Sequence, residues 1–216
     1  MRRVVFVLAD GLRPDAITLS VMPSLNALSD AYTLALHART VRPSATVAAL
    51  ASLATGVGPE SHRLIEPGLS FLPKLGTLRP IARELSKAGV PTDVVTTELG
   101  PAAYPVVWTL ASAAGVDRLF LRGHTARETA AAADRVLARR EQRLAFVYLA
   151  DCDRAGHAHG WMSEPYLKAA AEVDAAIGIL SAWTEDSLFI IVADHGGGGA
   201  RPTDHDAPHP INDTSP

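Results

Sequence analysis

Cysteine is almost missing from this chain. Cys152 stands alone, which excludes a disulfide framework and a cysteine-rich zinc site and is compatible with a reducing compartment. Long apolar runs are missing too, so no segment has the length that crosses a bilayer. The opening resembles the start of a signal peptide only briefly. Its apolar run, residues 4–9, ends in Asp10 with no small-residue cleavage site nearby. A cytoplasmic domain is the expectation. Lysine is scarce, and with a formal net charge of −3 and a pI near 6.2 the chain carries no footprint for nucleic acid or an anionic membrane. Repeats and low-complexity tracts are absent. The 216 residues, 48% of them apolar, are therefore expected to form a single domain, 1–216, around one core.

What is present is an alternation of short apolar runs with helical patterns. Residues 4–9 (VVFVLA), 144–150 (LAFVYLA) and 188–193 (LFIIVA) are short and continuous, as strands buried on both faces are. Residues 92–96 and 34–40 are weaker strand candidates. Helices are predicted over 77–88, stopped by Gly89 and Pro91, and over 125–141, opened by Thr125 with Glu128 in capping-box spacing. A third is predicted over 163–182. Residues 60–74 and 100–123 are less regular and are expected as loops or short helices. The alternation predicts a compact α/β fold, a mostly parallel central sheet flanked by helices on both faces, with little or no room for a lid.

The three strongest strands share an ending. The first is followed by Asp10, the second by Asp151 and Asp153, the third by Asp194 and His195. In a parallel sheet the carboxyl ends of the strands lie along one edge, where ligands bind. One aspartate at a strand end is ordinarily a cap or a turn residue. Three such ends, two with histidine nearby, point to a common site. Carboxylates gathered together repel one another and resist ionisation unless a cation neutralises them, and a divalent metal is the simplest neutraliser. Asp153 and His157 are four residues apart and can share one face of a helix start. Asp194 and His195 serve one site only if the chain turns sharply, which Gly196 to Gly199 would ease. Mixed Asp and His donors suit zinc or manganese better than calcium or magnesium. Residues 42–56 (RPSATVAALASLATG) predict a helix ending at Gly56, with Ser44 or Thr46 at its amino end. Unpaired N–H groups and the helix dipole there favour a phosphate-like anion. Residues 34–40, as a strand, would deliver that helix start to the same sheet edge.

Asp10-Gly11-Leu12-Arg13, then SATV before LATGVGPESH, then DRAGH, ADHG and a late DHD together resemble the alkaline phosphatase superfamily, in its type I phosphodiesterase/nucleotide pyrophosphatase-like branch. The motifs run in the family's order over most of the chain, specific as a set and weak one by one. The resemblance implies an alkaline phosphatase-like core and a two-metal hydrolase. Its substrate would be a small-molecule phosphate ester or nucleotide: a phosphodiester, a nucleotide pyrophosphate or a monoester. It implies a phospho-threonine intermediate on Thr46 and two divalent ions, Zn2+ with Mn2+ as the alternative. Asp10, Thr46, Asp194 and His195 match the shell of the metal that binds the nucleophile; Asp153, His157 and His205 match the other. Counting back from Gly56 favours Thr46 over Ser44. The register of the DHD…DTSP segment favours His205, with His209 as runner-up. His159 is a neighbour, and His37, His62 and His124 have no motif support.

The chain departs from the family at two points. Ala49 stands where an asparagine usually holds a phosphate oxygen, which leaves that task to the metals and the Val47 N–H. After Asp213-Thr214-Ser215-Pro216 the family normally continues into another strand, so either a compact, open-sited enzyme or a shortened chain is expected. Two rival readings remain. Asp151-Cys152-Asp153 imitates the nucleophile motif of a magnesium-dependent haloacid dehalogenase-like phosphatase using Asp151, which leaves Asp10, Thr46 and the histidines unexplained. A non-catalytic, degenerate metal-binding member of the same fold is the other. Sulfatase chemistry lacks its modifiable Cys or Ser context.

Overall fold

In the computed structural model, which describes residues 3–65, 77–98, 104–138 and 142–216, strands and helices alternate along the chain. The first half runs β1 (Arg3–Ala9), α1 (Pro23–Ala31), β2 (Ala38–Arg39), α2 (Thr46–Thr55), α3 (Pro59–His62), α4 (Ile81–Lys87) and β3 (Thr92–Thr96). The second runs α5 (Tyr104–Ala114), β4 (Arg118–Leu121), α6 (Ala126–Leu137), β5 (Arg143–Leu149), α7 (Asp151–His159), α8 (Glu164–Leu180), β6 (Ser187–Val192) and β7 (Thr214–Ser215). Five parallel strands form the central sheet in the order β4-β3-β5-β1-β6, flanked by helices as predicted. No helix among the described residues is long and apolar enough to cross a membrane.

β1 lies inside the sheet, which explains its unbroken apolar run. Val5, Val7 and Ala9 pair in register with Ala145, Val147 and Leu149 of β5. These six side chains share a core with Ala130, Ala133 and Leu137 of α6 and Val173, Ala176, Ile177 and Leu180 of α8. The alanines of α6 let that helix lie close to the sheet and to α8, so its low bulk is a packing device. The opposite sheet face carries the stacked rings of Phe6 and Phe146 and the in-register pair Leu8 and Tyr148.

Several boundaries differ from those predicted, each for a local reason. The helix expected over 77–88 begins only at Ile81, because Pro80 takes the N-cap position with extended backbone and a residue before proline avoids helical angles. α6 keeps its Thr125 cap, which accepts from the Glu128 N–H. The Glu128 carboxylate reaches back one residue further than a capping box requires, to the His124 N–H at 2.7 Å. α6 stops at Leu137, and residues 139–141 of the predicted helix lie outside the described residues. α8 follows its prediction, capped by Ser163, and ends in a 3-10 turn, Ser181–Trp183. Residues 100–123 are more regular than expected, holding α5 and the edge strand β4; residues 100–103, with 66–76, lie outside the described residues. β4 escapes a pattern search because its four residues are only half-buried, so no continuous apolar run is imposed on them.

The strand expected over 34–40 does not join the central sheet. Only Ala38–Arg39 is extended, and it pairs antiparallel with Thr214–Ser215 in a separate two-stranded sheet. The segment is largely exposed, and without a buried face nothing recruits it to the central sheet. The start of α2 reaches the site by another route.

Candidate active site

β5, β1 and β6 are neighbours in the sheet, so the aspartates that follow them emerge side by side. The Asp10 N–H extends the ladder to Leu149 O at 2.9 Å, and the Asp153 N–H, at the start of α7, donates to Asp10 O at 3.0 Å. Gly11 makes this approach possible. Its φ is +67°, and a Cβ there would lie 2.9 Å from the Asp153 Cα, so a side chain would meet both backbone strain and collision. Trp161 Nε1 and the Tyr166 hydroxyl each donate to Gly11 O at 2.9 Å, anchoring this turn from behind.

The predicted ligands converge. Among the described residues two groups have ligand atoms within 4.8 Å of one another: Asp10, Asp194 and His195, and Asp153, His195 and His205. His195 Nε2 lies 3.3 Å from Asp10 Oδ1 and 3.7 Å from Asp194 Oδ2. His205 Nε2 lies 3.7 Å from Asp153 Oδ1, and the His195 and His205 rings stack at 3.9 Å. The grouping differs from the family's division in that His195 belongs to both sets. His157 borders the second set, with Nε2 3.4 Å from Asp153 Oδ1 and a side chain 46% exposed.

All three imidazoles are oriented in the same way. Nδ1 of His195 faces Gly196 O at 2.7 Å, that of His157 faces Thr203 O at 3.0 Å, and that of His205 faces Ser44 O at 2.7 Å. A carbonyl oxygen only accepts, so each Nδ1 carries a proton and each Nε2 points into the cluster, the arrangement that metal-binding histidines favour. The carboxylates are similarly divided. Asp10 Oδ2 accepts from the Tyr148 hydroxyl, and Asp194 Oδ1 accepts from the N–H groups of Gly11 at 3.2 Å and His195 at 3.1 Å. By contrast, the buried Asp10 Oδ1, Asp153 Oδ1 and Asp194 Oδ2 accept no hydrogen bond among the described residues and face imidazole Nε2 atoms at 3.3–3.7 Å. An acceptor buried without a donor costs about 1–3 kcal/mol and more when charged, so these three oxygens call for a cation. Three carboxylate oxygens and three imidazole nitrogens fit zinc or manganese.

The electrostatics agree. Burial, then the Asp10 charge, holds the Asp194 carboxyl well above its usual range and pushes Asp153 up to about 6. Burial also opposes charge on Asp10, but the adjacent His195 imidazole and the Tyr148 hydroxyl keep its carboxyl below the usual value. Burial disfavours a charged His195, yet Asp194 and Asp10 push that imidazole up to about 10. Positive charge beside His195 is what the surrounding carboxylates favour.

Thr46 is the first residue of α2. Its Oγ1 lies 3.2 Å from His195 Nε2, and Ala45 occupies the N-cap without a side-chain hydrogen bond. The Ser44 hydroxyl, the other candidate, is committed elsewhere, donating to His205 O at 2.7 Å. Ala49 is 4% exposed, so a methyl group stands where the family's asparagine would be. The glycine run after His195 works by fit more than by turning. Of Gly196 to Gly199 only Gly198 has a left-handed φ, +77°, whereas a Cβ on Gly196 would collide with Ile211 O and one on Gly197 with the Trp161 ring.

The remaining candidates fall outside both groups. His209 lies against Gly199, and its Nδ1 accepts from the Ile211 N–H at 3.2 Å. His62 bonds Ser52 and Leu64. His37, His124 and His159 are exposed. Asp151 accepts from the Ala126 N–H at 3.0 Å and from Arg154 at 3.4 Å, capping the start of α6. His205→Ala is therefore expected to lower metal occupancy, measured by elemental analysis of the purified protein, while His209→Ala leaves it unchanged; the reverse result would reassign the third histidine. Sequence reasoning missed Tyr148, Trp161 and Tyr166. A tyrosine in a strand and aromatics around a helix start read as ordinary core residues, and only pairing across the sheet reveals Tyr148 holding Asp10.

A family model for type I phosphodiesterase/nucleotide pyrophosphatase matches residues 4–213. The chain belongs to this family. Solved structures share the phosphodiesterase-family fold. An alkaline phosphatase superfamily protein from Vibrio parahaemolyticus superposes with a TM-score of 0.70 at 17% identity, over 99% of this chain and 59% of that one. The C-terminal periplasmic domain of EptC from Escherichia coli, in complex with Zn, gives 0.64 at 17% identity, over 99% and 67%. An inactive threonine-to-alanine form of murine ectonucleotide pyrophosphatase/phosphodiesterase 5, in complex with AMP, gives 0.63 at 18% identity, over 91% and 57%. At such identities the likeness is one of fold, and this phosphodiesterase-family chain spans 57–67% of the three solved chains. No curated protein sequence matches it.

Proposed function

We propose that this chain is a metal-dependent hydrolase of small phosphate esters, with phosphodiesters or nucleotide pyrophosphates as the main class and monoesters as a lesser one. The observation that carries the reading is the set of three buried carboxylate oxygens that accept no hydrogen bond and face three imidazole Nε2 atoms, beside a threonine hydroxyl at a helix start. Asp10, Asp194, His195 and Thr46 would hold one divalent ion, and Asp153, His157 and His205 a second, with His195 within reach of both; Zn2+ suits these donors, with Mn2+ the alternative. When bound, such ions supply the positive charge that acidifies a hydroxyl and neutralises a leaving oxygen.

The chain's own groups do the rest. Thr46 Oγ1 attacks phosphorus in line, losing its proton to solvent. The Oγ1–P bond forms as the bond to the leaving oxygen breaks, and that oxygen takes a proton from water. A water molecule then attacks the phospho-threonine, the P–Oγ1 bond breaks, and Thr46 recovers its hydroxyl. Three aspartates against two dications leave about one positive charge for the phosphoryl group. The first-turn N–H groups of α2, Val47 among them, favour an anion, which matters more where Ala49 offers no amide. The solved zinc complex and the inactive threonine variant among the structural neighbours support the reading by analogy.

Ala49 by itself favours a second reading, a metal-binding member without turnover. Bis-p-nitrophenyl phosphate and p-nitrophenyl phosphate, assayed with added zinc or manganese, separate the two. Turnover is expected, faster on the diester. No turnover of either compound at full metal occupancy would overturn the hydrolase and leave the binding protein.

A further inference from the structure

The start of α2 and the segment that carries His205 are joined by a reciprocal pair of hydrogen bonds. The Ser44 hydroxyl donates to His205 O at 2.7 Å, and His205 Nδ1–H donates to Ser44 O at 2.7 Å. The two residues are 161 positions apart, and both are buried, 2% and 6% exposed. We propose that Ser44 is a positioning residue, whose hydroxyl clasps the His205 backbone and so fixes both the direction of His205 Nε2 and the separation of His205 from Thr46. The inference rests on the two-metal reading above and deepens it.

Each half of the clasp has a distinct task. The ring bond to Ser44 O sets the tautomer and turns Nε2 toward Asp153. That bond holds the ring only if the His205 backbone stays in place, and residues 201–210 form no helix or strand. Neighbouring anchors of this segment are Trp161 N–H to Pro202 O at 2.8 Å and Gly198 N–H to Asp204 O at 2.9 Å. The Ser44 hydroxyl is the anchor at His205 itself. A competitor for the ring lies next door. Asp206 Oδ1 is 3.2 Å from His205 Nδ1 on a side chain that is 69% exposed, and with the backbone loosened it would draw the imidazole toward solvent. At the other end, Ser44 leads through the extended Ala45 directly into Thr46, so the clasp ties the nucleophile's approach to the position of the third histidine.

Calorimetric titration of Zn2+ into the metal-free protein tests this in the wild type, Ser44→Ala and Ser44→Thr. The wild type is expected to bind two ions. Ser44→Ala should weaken the site containing His205 by roughly 10–100-fold, as loss of an outer partner of a metal ligand does, and leave the other site unchanged. Ser44→Thr, which keeps the hydroxyl, should restore the affinity. Unchanged affinity at both sites in Ser44→Ala would overturn the inference, as would Ser44→Thr binding as weakly as Ser44→Ala. A wild type that binds fewer than two ions would instead overturn the two-metal reading. Nitrogen-15 spectra of the metal-free wild type decide independently, including where Ser44→Ala does not fold. His205 is expected as the Nδ1–H tautomer with slow proton exchange, and an Nε2–H tautomer or a fast-exchanging proton would remove the clasp.

Discussion

Thr46→Ala is expected to reduce turnover by on the order of 10⁴-fold or more, the scale on which loss of a covalent nucleophile acts, while the protein stays folded and keeps its metal. The structure separates these effects. Thr46 contributes no side-chain cap to α2, since Ala45 holds the N-cap position without a side-chain bond. Alanine is also the better helix former, so the melting temperature should hold. The Asp and His ligand atoms converge without Thr46, so metal content should fall little. Steady-state kinetics on an aryl phosphodiester, elemental analysis and a thermal melt together make the test. Turnover within tenfold of wild type in Thr46→Ala would place the nucleophile elsewhere.

His195→Ala is expected to have a broader effect. His195 is the residue common to both ligand groups, and its ring stacks on His205. Its loss should weaken zinc binding at both positions by more than the roughly 10–100-fold that follows loss of an outer partner. The metal-free protein should respond in a pH-dependent way. The His195 pKa is pushed up to about 10 from 6.5 by Asp194 and Asp10, against the opposing effect of burial. A raised histidine pKa stabilises the fold fully below the unfolded value and ceases to do so as pH rises through the folded value. The melting temperature of metal-free His195→Ala should therefore lie furthest below wild type near pH 6, with the gap narrowing toward pH 10. If one zinc site keeps its full affinity in His195→Ala, the two groups do not share this residue, and the family's division of ligands applies unchanged.

How much of this was readable in the chain differs from residue to residue. Asp10 was, because a strand buried on both faces leaves an apolar run that ends abruptly where the sheet does. Asp194 follows a similar run although β6 proves to be a half-buried edge strand, and Asp153 stands two residues beyond Asp151, the first polar residue after β5. His157 was, through its helical spacing from Asp153. His205 over His209 rested on the family's register alone, since residues 201–210 have no periodicity to count by. Residues 34–40 misled because a short apolar segment carries no mark of the partner it will pair with. β4 was missed for a related reason: four half-buried residues at an edge need no pattern.

The sequence by itself determined which residues are candidates for the site, since apolar periodicity, strand-terminal aspartates and motif order are local properties of the chain. Tertiary structure alone decided how those residues are aimed. Tyr148 and Gly11 fix opposite sides of the Asp10 turn, three backbone carbonyls select the imidazole tautomers, and Ser44 fastens His205. Each of these is a directional bond or a close approach between residues far apart in the chain. Such contacts exist only once the sheet order has set which strand ends are neighbours, and no pattern along the chain encodes them.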